Sequence, residues 1–146
     1  MIKRILAAVA VSAAVAGGAT AASAAQGTST TRMSASETIM LTPQGGSMAH
    51  GKAVLTYSMM SHKTTVVLTL TGLAKNKPHL AHFHLGRCGS NGAIKYPLTT
   101  LQSMGATMMS TSTTVVNANV MHKKLYINVH GTSNNEMKVV ACGNVM

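Results

Sequence analysis

Apolar and polar residues alternate with a period of two through much of the chain beyond residue 36. In a β-strand, successive side chains point to opposite faces, so such alternation marks strands with one face turned to a core. The stretch Ala81-His82-Phe83-His84-Leu85 alternates, as does Leu125-Tyr126-Ile127-Asn128-Val129-His130. Thr64 to Thr71 is a dense run of Thr, Val and Leu, residue types that favour strands. The apolar segments are short and broken by Gly, Asn, Pro and Ser, which leaves little room for helices. Strands are predicted at Thr38 to Thr42, Ala49 to Ser58, Thr64 to Thr71, Ala81 to Leu85, Ala93 to Leu98, Thr111 to Asn117, Leu125 to His130 and Glu136 to Cys142. The Ala93 strand is interrupted by Pro97, and Thr99 to Ser110 reads as loop. An all-β chain of about seven to eight such strands predicts a Greek-key β-sandwich or flattened barrel.

The pattern also sorts the histidines. With Ala81, Phe83 and Leu85 turned inward, His82 and His84 share the outer face. With Leu125, Ile127 and Val129 turned inward, Tyr126, Asn128 and His130 lie outside. Imidazole is the commonest ligand for copper and zinc, and two imidazoles on one rigid strand make half of a metal site. If the two strands lie close together, His82, His84 and His130 converge. The plainer reading is a polar outer face that happens to carry histidines. His50, His62 and His122 fall on predicted turns and are expected to be solvated.

The N-terminus changes the domain boundaries. Met1-Ile2-Lys3-Arg4 is basic, Ile5 to Ala16 is apolar, and Ala22-Ser23-Ala24 has the small-x-small form of a cleavage site. Residues 1–25 are therefore expected to be a signal peptide, 26–36 a flexible polar lead-in, and 37–146 one β domain. The apolar run is too short for a convincing membrane span and no second one follows, so the mature chain is expected to lack one. That places the protein outside the cell or in the periplasm or cell envelope. Two cysteines in an exported chain are expected to pair, so Cys88 and Cys142 are assigned to a disulfide.

Charge narrows the partners. The chain has 12 Lys and Arg against two carboxylate residues, for a formal charge of +10. Removing Lys3 and Arg4 with the signal leaves +8. The lysines are scattered and the chain has only three Tyr and one Phe, so nucleic acid is not expected as a partner. With so few carboxylates to protonate, work at low pH or against an anionic surface is the better expectation. Twelve methionines are many for this length. Thioethers could select Cu(I), but most are expected to fill gaps in a core that lacks Trp. A Ser-His-Asp triad has no Asp to draw on, a glycosidase carboxylate pair is not available, and no H-E-x-x-H or P-loop pattern occurs.

Gly51-Lys52-Ala53-Val54-Leu55, Leu70-Thr71-Gly72-Leu73, Ala81-His82-Phe83-His84, Leu125 to His130, and Asn135-Glu136-Met137-Lys138 together resemble the CHRD domain family over roughly Glu37 to Met146. That resemblance implies an exported domain without an assigned reaction. The same residues are similar to a copper/zinc superoxide dismutase: His79, His82 and His84 keep an H-x-x-H-x-H spacing, and Val140-Ala141-Cys142-Gly143 ends the domain. By that likeness His82, His84 and His130 fall on copper-ligand positions and His79 on a non-ligand one. Only Leu85, Gly86 and Arg87 separate His84 from Cys88, no histidine recurs before His122, and the chain has no Asp. The likeness therefore implies no zinc site of the dismutase type and no bridging fourth copper ligand. Val139 stands where the dismutases carry their active-site arginine. The expected function is a non-enzymatic exported CHRD-type domain that could bind copper through an outer three-histidine cluster. The alternative is a reduced, copper-dependent superoxide dismutase without the zinc site.

Overall fold

The computed structural model describes residues 33–132 and 137–146. The signal-peptide reading of 1–25, most of the lead-in and Glu136 lie outside the described residues. Eight strands form: β1 Ser34–Pro43, β2 His50–Ser58, β3 Lys63–Thr71, β4 Pro78–Leu85, β5 Ile94–Gln102, β6 Ser110–Val116, β7 Leu125–His130 and β8 Val139–Asn144. All pairings are antiparallel, in the order β5-β4-β7-β8-β1-β2-β3-β6. None of the described residues forms a helix long and apolar enough to cross a membrane.

The sheet folds as two halves around one core. β6-β3-β2-β1 makes one half and β5-β4-β7-β8 the other. The halves join at β1–β8 through only two register pairs, Thr42↔Cys142 and Pro43↔Ala141. The far edges, β5 and β6, meet through threonine side chains. The Thr99 amide donates to Thr114 Oγ1 at 2.7 Å and the Thr99 hydroxyl donates to the Thr113 carbonyl at 2.9 Å. The result is the flattened barrel that the alternation predicts. Ile39, Leu41, Leu55, Val66, Leu68, Leu70, Phe83, Leu101 and Ile127 fill its interior. Burying a side chain of this size contributes roughly 1.5–3 kcal/mol. The Cys88–Cys142 disulfide ties the exit of β4 to β8, with Cα atoms 6.0 Å apart.

Several boundaries differ from the sequence expectation, each for a physical reason. β1 begins at Ser34, inside the expected lead-in, because it pairs with β2 over eight positions from Ser34↔Ser58 to Leu41↔Gly51. β5 runs through Pro97 to Gln102, into the expected loop. It is the last strand of its sheet half, so a proline without an N–H costs it no ladder bond on the open side. β8 starts at Val139 rather than Glu136 and continues past Cys142. Leu85 is not core: it is 48% exposed. A register shift between Phe83 and His84 interrupts the β4–β5 ladder, so the inward sequence ends at Phe83. The methionines also depart from expectation. Of the eleven described, ten are exposed and only Met121 is buried.

Candidate metal centre

β4 and β7 are hydrogen-bonded neighbours, paired from Ala81↔Val129 to Leu85↔Leu125. That adjacency is the condition the alternation left open. His82 lies opposite Asn128 and His84 opposite Tyr126 on the outer face. His130 lies two residues beyond Asn128, diagonal to His82, within reach of a side chain on the same face. The three rings converge: centroids are 5.8 Å apart for His82–His84, 5.2 Å for His82–His130 and 5.9 Å for His84–His130. One ring nitrogen from each falls within 4.8 Å of the other two. Around a bound ion at metal–nitrogen distances of about 2.0–2.1 Å, such nitrogens stand roughly 3.4 Å apart. Small ring rotations close that gap.

The outer face of β7 is not an open wall. Tyr126 and Asn128 are buried, as is His84, which is 8% exposed. The segment after β4 folds back over them, making a recess of 330 Å³. It contains His82, His84, Tyr126, Asn128 and His130 and is bordered by Leu80, Asn91, Gly92, Ile94, Met137 and Val139. The fold-back depends on Gly92. A Cβ there would sit 1.6 Å from the Leu85 carbonyl oxygen, so only glycine permits the approach.

Gly92 is also what orients His84. Its carbonyl accepts the His84 Nδ1–H at 2.8 Å, and its own N–H donates to the Tyr126 hydroxyl at 2.9 Å. Tyr126 in turn stacks on the His84 ring, with centroids 5.1 Å apart. A carbonyl only accepts, so the proton of a neutral His84 lies on Nδ1 and its Nε2 carries the lone pair. That Nε2 is buried without a hydrogen-bond partner, and so is Asn128 Oδ1 in the same recess. A backbone carbonyl holding the far nitrogen of the ring is the usual support of a metal-binding histidine.

The remaining histidines stand apart from this cluster. His79 is three residues from His82 and therefore on the other, inward face, where it is buried. Its Nδ1–H donates to the His130 backbone carbonyl at 2.9 Å, bracing the end of β7. His50 is exposed at the start of β2. His62 and His122 are exposed on turns with φ of 55° and 54°. Sequence reasoning put Tyr126 on the right face but did not assign it or Gly92 a role. The hydroxyl of a buried tyrosine needs a partner, and that was the available signal.

Among families of known proteins, a model described as the CHRD domain matches residues 11–139, a span that takes in β1 to β7 and the first residue of β8. No curated protein matches the chain. The family match covers most of the chain and both histidine-bearing strands, and the protein belongs to the CHRD domain family.

Proposed function

We propose that this CHRD domain is a metal-binding module that holds a copper ion between His82, His84 and His130. The observation that carries the reading is the buried His84 Nε2, which has no hydrogen-bond partner while Nδ1 is tied to the Gly92 carbonyl. A buried polar atom of this kind calls for an explanation, and a metal ion supplies one. Three imidazoles suit copper and zinc. The bound ion would polarise whatever ligand or water completes its shell. Asn128 Oδ1 stands in the recess to accept a hydrogen bond from it.

The domain is read as a binder rather than as an enzyme. Among the described residues no general acid or base of carboxylate type lines the recess. A reduced superoxide dismutase would use the same three histidines, and no observation favours turnover over binding. The disulfide fits an oxidising compartment. Export to the cell exterior or envelope follows from the signal-like N-terminus and belongs to the same proposal. So does docking on an anionic surface, which the excess of basic residues favours.

Calorimetric titration of the purified mature domain tests the reading. One equivalent of copper is expected to bind, and His82→Ala is expected to abolish it. Wild-type protein that binds no copper or zinc removes the metal proposal. Binding accompanied by superoxide turnover removes the non-enzymatic part alone.

A further inference from the structure

The geometry points to a Cu(I) site completed by the Met137 thioether, giving three nitrogen donors and one sulfur. This inference rests on the three-histidine reading and specifies its ion and its fourth ligand.

The first observation is placement. The three histidines reach the recess from β4 and β7, which form its floor. Met137 borders the same recess just before β8. Among the described residues it is the one sulfur-bearing side chain in the lining. It is also 93% exposed, so no packing holds its side chain elsewhere. Burial does not explain why a methionine stands there, since the hydrophobic effect stabilises apolar groups only where they leave water.

The second observation is the charge and polarity of the recess. Imidazole and thioether are both neutral, so the donor set brings no negative charge to offset the ion. Among the described residues no Asp or Glu borders the recess, and Leu80, Ile94 and Val139 give it apolar walls. The Born cost of desolvation scales with the square of charge, so a divalent ion costs about four times as much here as a monovalent one. Soft sulfur donors independently favour Cu(I), whereas carboxylate and water favour harder ions. Donor type, donor charge and wall polarity thus select the same oxidation state.

The test compares Cu(I), Cu(II) and Zn(II) on the full mature domain. Cu(I) is added anaerobically against a chromogenic Cu(I) chelator, for wild type, Met137→Leu and the control Met104→Leu. Leucine keeps the size of the exposed side chain, so folding is not at risk at position 137. Wild type is expected to hold Cu(I) more tightly than Zn(II). Met137→Leu is expected to weaken Cu(I) at least about tenfold while leaving Zn(II) unchanged. X-ray absorption of the Cu(I) form is expected to show one sulfur near about 2.3 Å, lost in Met137→Leu and kept in Met104→Leu. Cu(I) bound equally tightly by Met137→Leu, with nitrogen scatterers alone, overturns the fourth-ligand inference and leaves the histidine site standing. Tighter binding of Zn(II) than Cu(I) overturns the choice of ion. Wild type that binds none of the three removes the histidine site itself.

Discussion

Replacing both Cys88 and Cys142 with alanine removes the covalent tie between the segment after β4 and β8, the strand through which this half of the sheet meets β1. β1 and β8 share only the pairs Thr42↔Cys142 and Pro43↔Ala141, reinforced by the Thr42 hydroxyl donating to the Cys142 carbonyl at 3.2 Å. The bridged cysteines are 54 residues apart. Loop-closure entropy for a loop of that length gives about 4 kcal/mol at room temperature. Cys142 is buried, and trimming its sulfur leaves a small void that costs roughly another 1 kcal/mol. The expected loss is therefore about 4–5 kcal/mol, close to half the stability of an ordinary domain. In urea, with a mid-range slope of about 2 kcal/mol per molar, the midpoint should fall by about 2–2.5 M. The slope itself should rise, because the uncrosslinked unfolded chain exposes more surface. Equilibrium unfolding of the wild type and the double variant, followed by circular dichroism, measures both. A loss below about 1.5 kcal/mol with an unchanged slope would refute the reasoning, since the bridge would then not restrict the unfolded state. Below the transition the variant should keep the wild-type metal stoichiometry, because the β4–β7 ladder, not the bridge, aligns the three histidines.

Three further outcomes follow from the packing and the site. Phe83→Ala empties a fully buried ring position beside Tyr96, and should cost about 3–5 kcal/mol in urea unfolding. Tyr126→Phe keeps the stack on His84 but removes the hydroxyl that accepts the Gly92 N–H. It should cost about 1–2 kcal/mol and weaken copper binding roughly 10- to 100-fold, measured by chelator competition. Copper affinity should fall on acidification from neutral pH, because protons compete with the metal for imidazole nitrogen. Affinity independent of pH, measured by titration in a series of buffers, would point to ligands other than histidine.

The floor of the site was legible in the sequence because it is local. Period-two alternation sets which side of a strand each residue occupies, and it put His82, His84 and His130 outside before any neighbour was known. Whether β4 and β7 touch depends on long-range pairing, which alternation does not encode. The likeness to the dismutases suggested it, and the ladder shows it. Leu85 was misplaced because a register shift after Phe83 breaks the ladder that alternation assumes to be regular. The depth of the recess was not legible either. It depends on one backbone approach, Gly92 to the Leu85 carbonyl, and a glycine in a run of Gly, Ser and Asn looks like an ordinary turn residue. Most methionines were expected to fill gaps in a core that lacks Trp. Leu, Val, Ile and Ala, with Phe83 and Met121, fill the interior, and ten methionines stand in solvent instead.

The most direct measurement is the nitrogen-15 spectrum of the seven histidine side chains, recorded before and after one equivalent of anaerobic Cu(I), a diamagnetic ion that leaves the lines sharp. Ring-nitrogen shifts confined to His82, His84 and His130, with His84 responding at Nε2, are the expected result. Shifts at His50, His62 or His122 instead, or no shifts at all, would contradict a copper site between β4 and β7.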